Sequence, residues 1–135
     1  MPRLLLNIDV PDIEAGERFY CQALGMSAGR RFDAGFVELL GAEAPIYLLQ
    51  VDPGTSIGPA GGEGRHYDRH WTPIHPDFAV EDLDAAVERA VAAGARIETP
   101  PREARYGRIA TLADPFGHGF CLIEFNERGY DAYAD

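Results

Sequence analysis

Cysteine, positive charge and long apolar runs are all scarce in this sequence of 135 residues. No apolar run approaches the ~20 residues that a membrane-spanning helix needs. The opening Met1–Leu6 is too short in its apolar part for a signal peptide, and Asp9 and Asp12 follow closely. These absences predict a cytoplasmic protein that has no membrane partner.

The two cysteines, Cys21 and Cys121, are each flanked by apolar or aromatic residues. Thiols in such surroundings, in a chain expected to be cytosolic, are usually buried and reduced. A disulfide between them is therefore the less favoured alternative.

Acidic residues outnumber basic ones by 22 to 12, which gives a formal net charge of −10. This charge would repel the phosphates of a nucleic acid, so we expect no nucleic-acid partner. It is compatible with a cationic small molecule, or with a surface that simply keeps the protein soluble. At 46% apolar and 25% charged residues, the composition suits one globular domain over residues 1–135 with a real core.

The chain repeats itself at an offset of 70 residues, from Leu5–Ile13 to His75–Leu83. Both segments alternate in polarity as strands do, and a helix signal follows each one. That signal is an aspartate that can cap the first free amides of a helix, Asp12 in one half and Asp82 in the other. A repeat of this kind predicts two modules of similar architecture.

An apolar face at helical spacing follows each of these aspartates, and Gly25 and Gly94 provide the expected left-handed stops. The apolar positions are Ile13, Phe19, Tyr20 and Ala23 in the first half, and Leu83, Ala86, Val87, Ala90 and Val91 in the second. Each helix should pack on one side of a sheet.

Three more strands are predicted in each half, and a Gly- and Pro-rich stretch separates the halves. The strands are Arg31–Asp33, Phe36–Leu40 and Ile46–Val51 in the first half, and Arg96–Glu98, Arg108–Leu112 and Gly119–Asn126 in the second. The resulting division is module 1 at 3–51, a linker or lid without regular structure at 52–72, module 2 at 73–127 and a tail at 128–135.

Each half is therefore predicted as a βαβββ module in an α+β fold. A single such sheet would leave one apolar face in water, so two mixed sheets should curve around a shared cleft. The alternative is a two-layer α+β fold without a cleft.

Several short motifs, taken in order, resemble the vicinal-oxygen-chelate superfamily of glyoxalases, bleomycin resistance proteins and dioxygenases. The first half carries Val10-Pro11-Asp12-Ile13, then Phe19-Tyr20 and Leu24-Gly25-Met26. The second carries Asp82-Leu83-Asp84-Ala85-Ala86, Tyr106-Gly107 and Asp114-Pro115-Phe116-Gly117-His118-Gly119-Phe120-Cys121-Leu122. The last run is closest to the glyoxalase-like branch, and the likeness extends from Pro2 to about Tyr130.

The resemblance implies a curved sheet whose inner face binds a small molecule, and it implies a homodimer. In the metal-dependent members of the superfamily, four side chains from the first and last strands of each half hold a divalent cation. The corresponding positions here are Leu5 and His75 on the first strands, and Tyr47 and Cys121 on the last strands. The turn lengths leave the last two uncertain by one or two residues.

Only His75 among these four is an unambiguous ligand for a hard divalent ion, and Leu5 cannot bind a metal. Glu124 would add a carboxylate, but strand alternation from Cys121 points it to the opposite face. We therefore expect no metal cofactor, with His75 as the first ligand if a cation is bound. The alternative role of His75 is that of a pocket histidine, hydrogen-bonded to a ligand or to Asp77.

Two further positions share the inward parity of Leu5 and His75, namely Asn7 and Asp77, and could bind polar ligand groups. Trp71 ends a polar-aromatic cluster that begins at His66. It could stack on a ligand as part of a lid, or it could simply anchor the connector to the core. The predicted ligand-binding pocket comprises Leu5, Asn7, Tyr47, Trp71, His75, Asp77 and Cys121.

These residues favour a metal-independent protein that binds a small organic molecule in its cleft. The alternative function is a metal-dependent lyase, isomerase or dioxygenase in which a cation at His75 polarises substrate oxygens. A structural or regulatory interaction module is a third hypothesis, which only the missing ligands support.

Overall fold

The computed structural model describes residues 1–57 and 62–134, and the chain divides into two compact units, Met1–Asp68 and Arg69–Asp135. The boundary lies inside the predicted linker. Gly58, Pro59 and Gly61, which contributed to the linker prediction, lie outside the described residues. No helix in the described part of the chain has the length and apolarity that crossing a membrane requires.

The first unit is a four-stranded mixed sheet with one helix. Its elements are β1 (Leu6–Val10), α1 (Ile13–Leu24), β2 (Ser27–Asp33), β3 (Phe36–Leu40) and β4 (Ile46–Gln50). The strands lie in the order β1-β4-β3-β2; β1 runs parallel to β4, and the other neighbours are antiparallel.

The second unit repeats this plan. Its elements are β5 (Asp77–Ala79), α2 (Leu83–Ala93), β6 (Arg96–Ala104), β7 (Gly107–Ala113), β8 (Gly119–Phe125) and a short 3-10 helix (Gly129–Tyr133). The strands lie in the order β5-β8-β7-β6, again with the first strand parallel to the last. The predicted α+β class with two βαβββ modules is confirmed. The sequence pattern did not predict the 3-10 helix, which lies in the segment assigned to the tail.

Both helices begin and end at the predicted residues. The amide of Ala15 donates to Asp12 Oδ1 at 3.0 Å, and that of Ala85 donates to Asp82 Oδ1 at 3.1 Å. Gly25 has φ 67° in the left-handed region, as predicted, whereas Gly94 has φ 120° and ψ 2°, outside the left-handed helical region. A positive φ still favours glycine at both helix ends.

One face of each helix is buried against its own sheet. The predicted apolar positions are buried in both helices except Val91, which is 43% exposed. That prediction was wrong because Val91 lies at the margin of the apolar stripe of α2, where the sheet no longer covers it. The side chains of Val10 and Leu48 lie so close to Gly16 that a Cβ there would be 3.1 to 3.3 Å from them.

Two strands are longer than predicted by four residues or more, and both are edge strands. β2 begins at Ser27 rather than Arg31, and β6 continues through Pro100 and Pro101 to Ala104. Each contains register shifts against its single neighbour. An edge strand tolerates proline and bulges because one side of its backbone makes no ladder bonds, so local composition underestimates its length.

The described part of the predicted linker is more ordered than its composition indicated. Ser56 and Gly64 form an isolated antiparallel bridge, and Arg65 donates to Asp9 Oδ2 at 2.7 Å. The hydroxyl of Tyr67 donates to the carbonyl of Val51 at 2.6 Å. These bonds fix residues 62–67 to the first unit.

A polar side chain from the last strand caps the first amide of each helix. Gln50 Oε1 accepts from Ile13 N at 2.8 Å, and Glu124 Oε1 accepts from Leu83 N at 2.9 Å. The predicted orientation of Glu124, away from the face of Cys121, is thereby observed. The two caps occupy equivalent places in the repeat, so the sheet and the helix of each unit are coupled in the same way.

Replacing Glu124 with alanine is expected to lower the free energy of unfolding by about 1–2 kcal/mol, because the amide of Leu83 loses its acceptor. Glu124→Gln is the matched control, since Gln50 already performs this role in the first unit. It should remain within ~0.5 kcal/mol of wild type. Urea unfolding would measure both, and equal losses in the two variants would contradict the capping role.

Candidate functional site

Four of the seven predicted pocket residues lie together in the second unit, on the sheet side opposite α2, which we call the helix-free face of that unit. Cys121 in β8 pairs with Asp77 in β5 and with Thr111 in β7, so their three side chains form a row across the sheet. His75 Nε2 lies 3.1 Å from Asp77 Oδ1. One ligand atom each from His75, Asp77 and Cys121 lie within 4.8 Å of one another.

The side chains of His75, Asp77 and Cys121 are buried to different extents. Cys121 is buried, His75 is partly buried and Asp77 is exposed. Burial raises the pKa of the Cys121 thiol, the neighbouring Asp77 carboxylate adds to the rise, and a hydrogen bond with Thr111 opposes it. The Thr111 Oγ1 and Cys121 Sγ atoms are 3.6 Å apart. The thiol is thus predominantly protonated at neutral pH.

Trp71 lies at one end of the row, where its ring centroid is 4.5 Å from that of His75. Its indole remains 54% exposed. The guanidinium of Arg69 lies 5.6 Å from the same ring and donates to both oxygens of Glu98, at 2.6 and 2.8 Å. A Cβ at Gly119 would collide with this guanidinium, so glycine leaves the space that Arg69 occupies.

An apolar patch adjoins the row and shares Cys121 with it. Ile109, Cys121 and Ile123 form a buried cluster against which Tyr106 packs. The Tyr106 ring also contacts an aromatic group at the chain end, made of Phe125, Tyr130 and Tyr133. Burial raises the pKa of the Tyr106 phenol, so its hydroxyl stays protonated at physiological pH. The helix-free face of the second unit therefore combines hydrogen-bonding groups, aliphatic surface and aromatic rings.

The other three predicted residues belong to the first unit. Asn7 and Tyr47 are paired across β1 and β4, and Leu5 lies exposed just before β1. The register makes Asn7–Tyr47 equivalent to Asp77–Cys121, which resolves the uncertainty about the last-strand positions. Tyr47 is buried, and its hydroxyl is 3.3 Å from Glu38 Oε2.

Glu38 itself is a buried carboxylate that the sequence analysis missed. Hydrogen bonds from Arg30 lower the pKa of Glu38 to about 2, so it is ionised throughout the physiological range. A charged residue between Val37 and Leu39 in an otherwise apolar strand was the available signal. Thr111 was also missed and carries no distinguishing local pattern, whereas Tyr106 belongs to the Tyr106-Gly107 motif that the sequence had already singled out.

An imidazole, a carboxylate and a thiolate are together a suitable donor set for zinc or another borderline transition metal, with a fourth position left for a substrate. The second unit supplies all three donors. The equivalent positions of the first unit hold Leu5, Asn7 and Tyr47, which do not complete the set. His75 and Asp77 are already paired with each other, as Cys121 is with Thr111.

Two mixed sheets with one helix each, arranged as a sequence repeat, define the α+β class of the glyoxalase/bleomycin resistance/dioxygenase superfamily. Residues 6–123 match the glyoxalase-like domain, and the chain belongs to that family. The resemblance inferred from its motifs is therefore confirmed.

Two curated relatives are anthracycline biosynthesis proteins. DnrV of Streptomyces peucetius is 36% identical over 122 residues, which are 90% of this chain and 40% of DnrV. DauV of Streptomyces sp. strain C5 is 33% identical over 127 residues, which are 92% of this chain and 41% of DauV. The chain thus spans about two-fifths of the length of these relatives.

A similar solved structure is a variant of the fosfomycin resistance protein FosX from Listeria monocytogenes, complexed with Mn(II) and 1S,2S-dihydroxypropylphosphonic acid. The TM-score is 0.71 at 19% identity, over 95% of this chain and 94% of that one. This likeness concerns the fold alone.

Proposed function

We propose that this chain binds a small planar aromatic molecule, without a metal, on the helix-free face of its second unit. The observation that carries the proposal is the Trp71 indole, which contacts both Arg69 and His75 and yet is more than half exposed. An exposed, fixed aromatic ring beside His75 and Asp77 offers stacking and hydrogen bonding at one place.

Two observations support the metal-independent form of this proposal. His75 Nε2 already lies 3.1 Å from Asp77 Oδ1 and Cys121 already contacts Thr111, and the raised pKa of Cys121 keeps its thiol protonated, whereas metals bind the thiolate. The positions of the first unit that match His75 and Cys121 hold Leu5 and Tyr47. The full predicted pocket, including Leu5, Asn7 and Tyr47, remains a proposal.

The class of ligand follows from charge and from the relatives. The net charge of −10 favours a cationic molecule. The anthracycline biosynthesis role in the names of the relatives supports a polycyclic aromatic ligand. Daunorubicin, which is planar, cationic and fluorescent, is therefore a suitable probe.

Titration of the full chain with daunorubicin in the presence of EDTA is expected to show saturable binding and to quench Trp71, the single tryptophan. Trp71→Ala, in which binding is followed by the fluorescence of daunorubicin, should weaken binding about 2–12-fold, the range expected for one aromatic contact. Val91→Ala, which truncates an exposed side chain on α2, is the control and should bind like wild type. Binding that requires an added metal, or equal affinities in both variants, would refute the proposal.

A second candidate function is metal-assisted catalysis, as in a lyase, isomerase or dioxygenase. It is favoured by the grouping of His75, Asp77 and Cys121 within 4.8 Å. A cation held by these residues would polarise adjacent substrate oxygens. Within the chain itself, Asp77 would orient the His75 imidazole, and Thr111 would donate to the Cys121 sulfur.

The homodimer, the cytoplasmic location and the module boundaries expected from the sequence remain predictions. Sedimentation velocity on the purified chain would decide the first of them.

A further inference from the structure

A second candidate site lies in the first unit, on the sheet side opposite α1. Arg30 and Phe32 in edge strand β2 project to this side, where Arg30 meets Glu38 and Phe32 meets Phe36 and Tyr47. Arg31, between them, points the other way and donates to Glu17 of α1 at 2.6 and 2.7 Å. We propose that Arg30 and the rings beside it bind an aromatic carboxylate.

The Arg30 guanidinium has a fixed position. Its Nε and Nη2 atoms donate to Glu38 at 3.0 and 2.7 Å, and the Arg30 amide donates to the same carboxylate at 3.1 Å. Glu38 is buried and holds the guanidinium in place, whereas 68% of the Arg30 side chain is exposed. These bonds leave Nη1 for a further acceptor. An arginine held in this way has already lost much of the entropy that binding an anion would cost.

An aromatic surface adjoins the guanidinium. The Arg30 Cζ atom lies 5.2 Å from the centroid of the Phe32 ring, and Phe32 lies 4.6 Å from Phe36 and 6.1 Å from Tyr47. Phe32 is 46% exposed although three groups fix its orientation. A ligand ring can stack on Phe32 while an oxygen attached to that ring accepts from Arg30.

A carboxylate is the oxygen group that best matches the outward side of a guanidinium, because the charge-assisted bond is stronger than one to a neutral acceptor. Glu38 uses one side of Arg30, and the ligand would use the other. The net charge of −10 opposes an anion at long range, but salt at physiological strength screens this effect beyond about 8 Å. The local contacts therefore decide the preference.

The test is titration of the full chain with 2-naphthoate, followed by amide NMR, beside 2-naphthalenemethanol as the neutral aromatic and cyclohexanecarboxylate as the non-aromatic anion. 2-Naphthoate is expected to bind about tenfold more tightly than either control. The largest shifts should fall in residues 30–38. Equal affinities for the three probes, or shifts confined to residues 71–77, would overturn the proposal and would leave daunorubicin binding at Trp71 unaffected.

Two variants separate the ring from the charge. Phe32→Leu should weaken 2-naphthoate binding about fivefold and leave the fold intact, because the side chain is exposed. Arg30→Gln combined with Glu38→Gln replaces the ion pair with two amides and should abolish the preference for the acid over the alcohol. Wild-type selectivity in both variants would overturn the assignment.

Discussion

Replacing Gly107 with alanine is expected to lower the free energy of unfolding by about 3 kcal/mol or more. Gly107 has φ 143°, a region that residues with a side chain rarely adopt. A Cβ there would also collide with the backbone carbonyl of Glu124 and lie 2.9 Å from the amide of Asn126. Backbone on the neighbouring strand cannot rotate away as a side chain can, so β7 and β8 would have to separate.

Gly25→Ala is the matched control for this prediction. Gly25 also has a positive φ, 67°, but a Cβ there would meet no atom within 4 Å. Its loss should be about 1–2 kcal/mol, the cost of the left-handed conformation alone. Chemical denaturation of both variants measures the difference, and similar losses would show that the close approach to Glu124 has no energetic effect.

If His75, Asp77 and Cys121 bind a cation, its apparent affinity is expected to fall about tenfold for each pH unit between pH 8.5 and pH 7. Burial raises the pKa of the Cys121 thiol, so the thiol is protonated over this range. The cation must displace that proton, and a lower pH favours the protonated form. Titration with Co²⁺ at a series of pH values, followed by the thiolate-to-cobalt absorption band, measures this dependence.

Cys121→Ser provides the control, because it keeps a small polar side chain but removes the thiolate band. An affinity that is independent of pH, or an absorption band that persists in Cys121→Ser, would contradict binding by these three residues. The metal content of protein purified without a His-tag then separates the two candidate functions. Less than about a tenth of an equivalent, with no activity gained on reconstitution, would eliminate the metal-dependent one.

The sequence repeat predicted which site residues lie together in the second unit better than it did in the first unit. His75 and Asp77 have the same parity on one segment, and their proximity follows from strand alternation. Their position beside Cys121 depended on a turn length, and only the pairing of Asp77 with Cys121 settled it. In the first unit, the side-chain contacts of Tyr47 are with Phe32 of β2 and with Glu38 of β3, two strands to which no functional role had been assigned.

The sequence alone determined the two helices, their caps at Asp12 and Asp82, and the succession of strand, helix and three strands in each half, because these features depend on local sequence patterns. Tertiary structure decided the rest, including the ion pair between Arg30 and Glu38 and the ion pair between Arg69 and Glu98. Arg69 and Glu98 are 29 positions apart in the chain, and the periodicity of apolar residues carries no information about such pairs. The lengths of edge strands β2 and β6 were likewise decided by the assembled sheet, because only there does one side of each backbone remain unpaired.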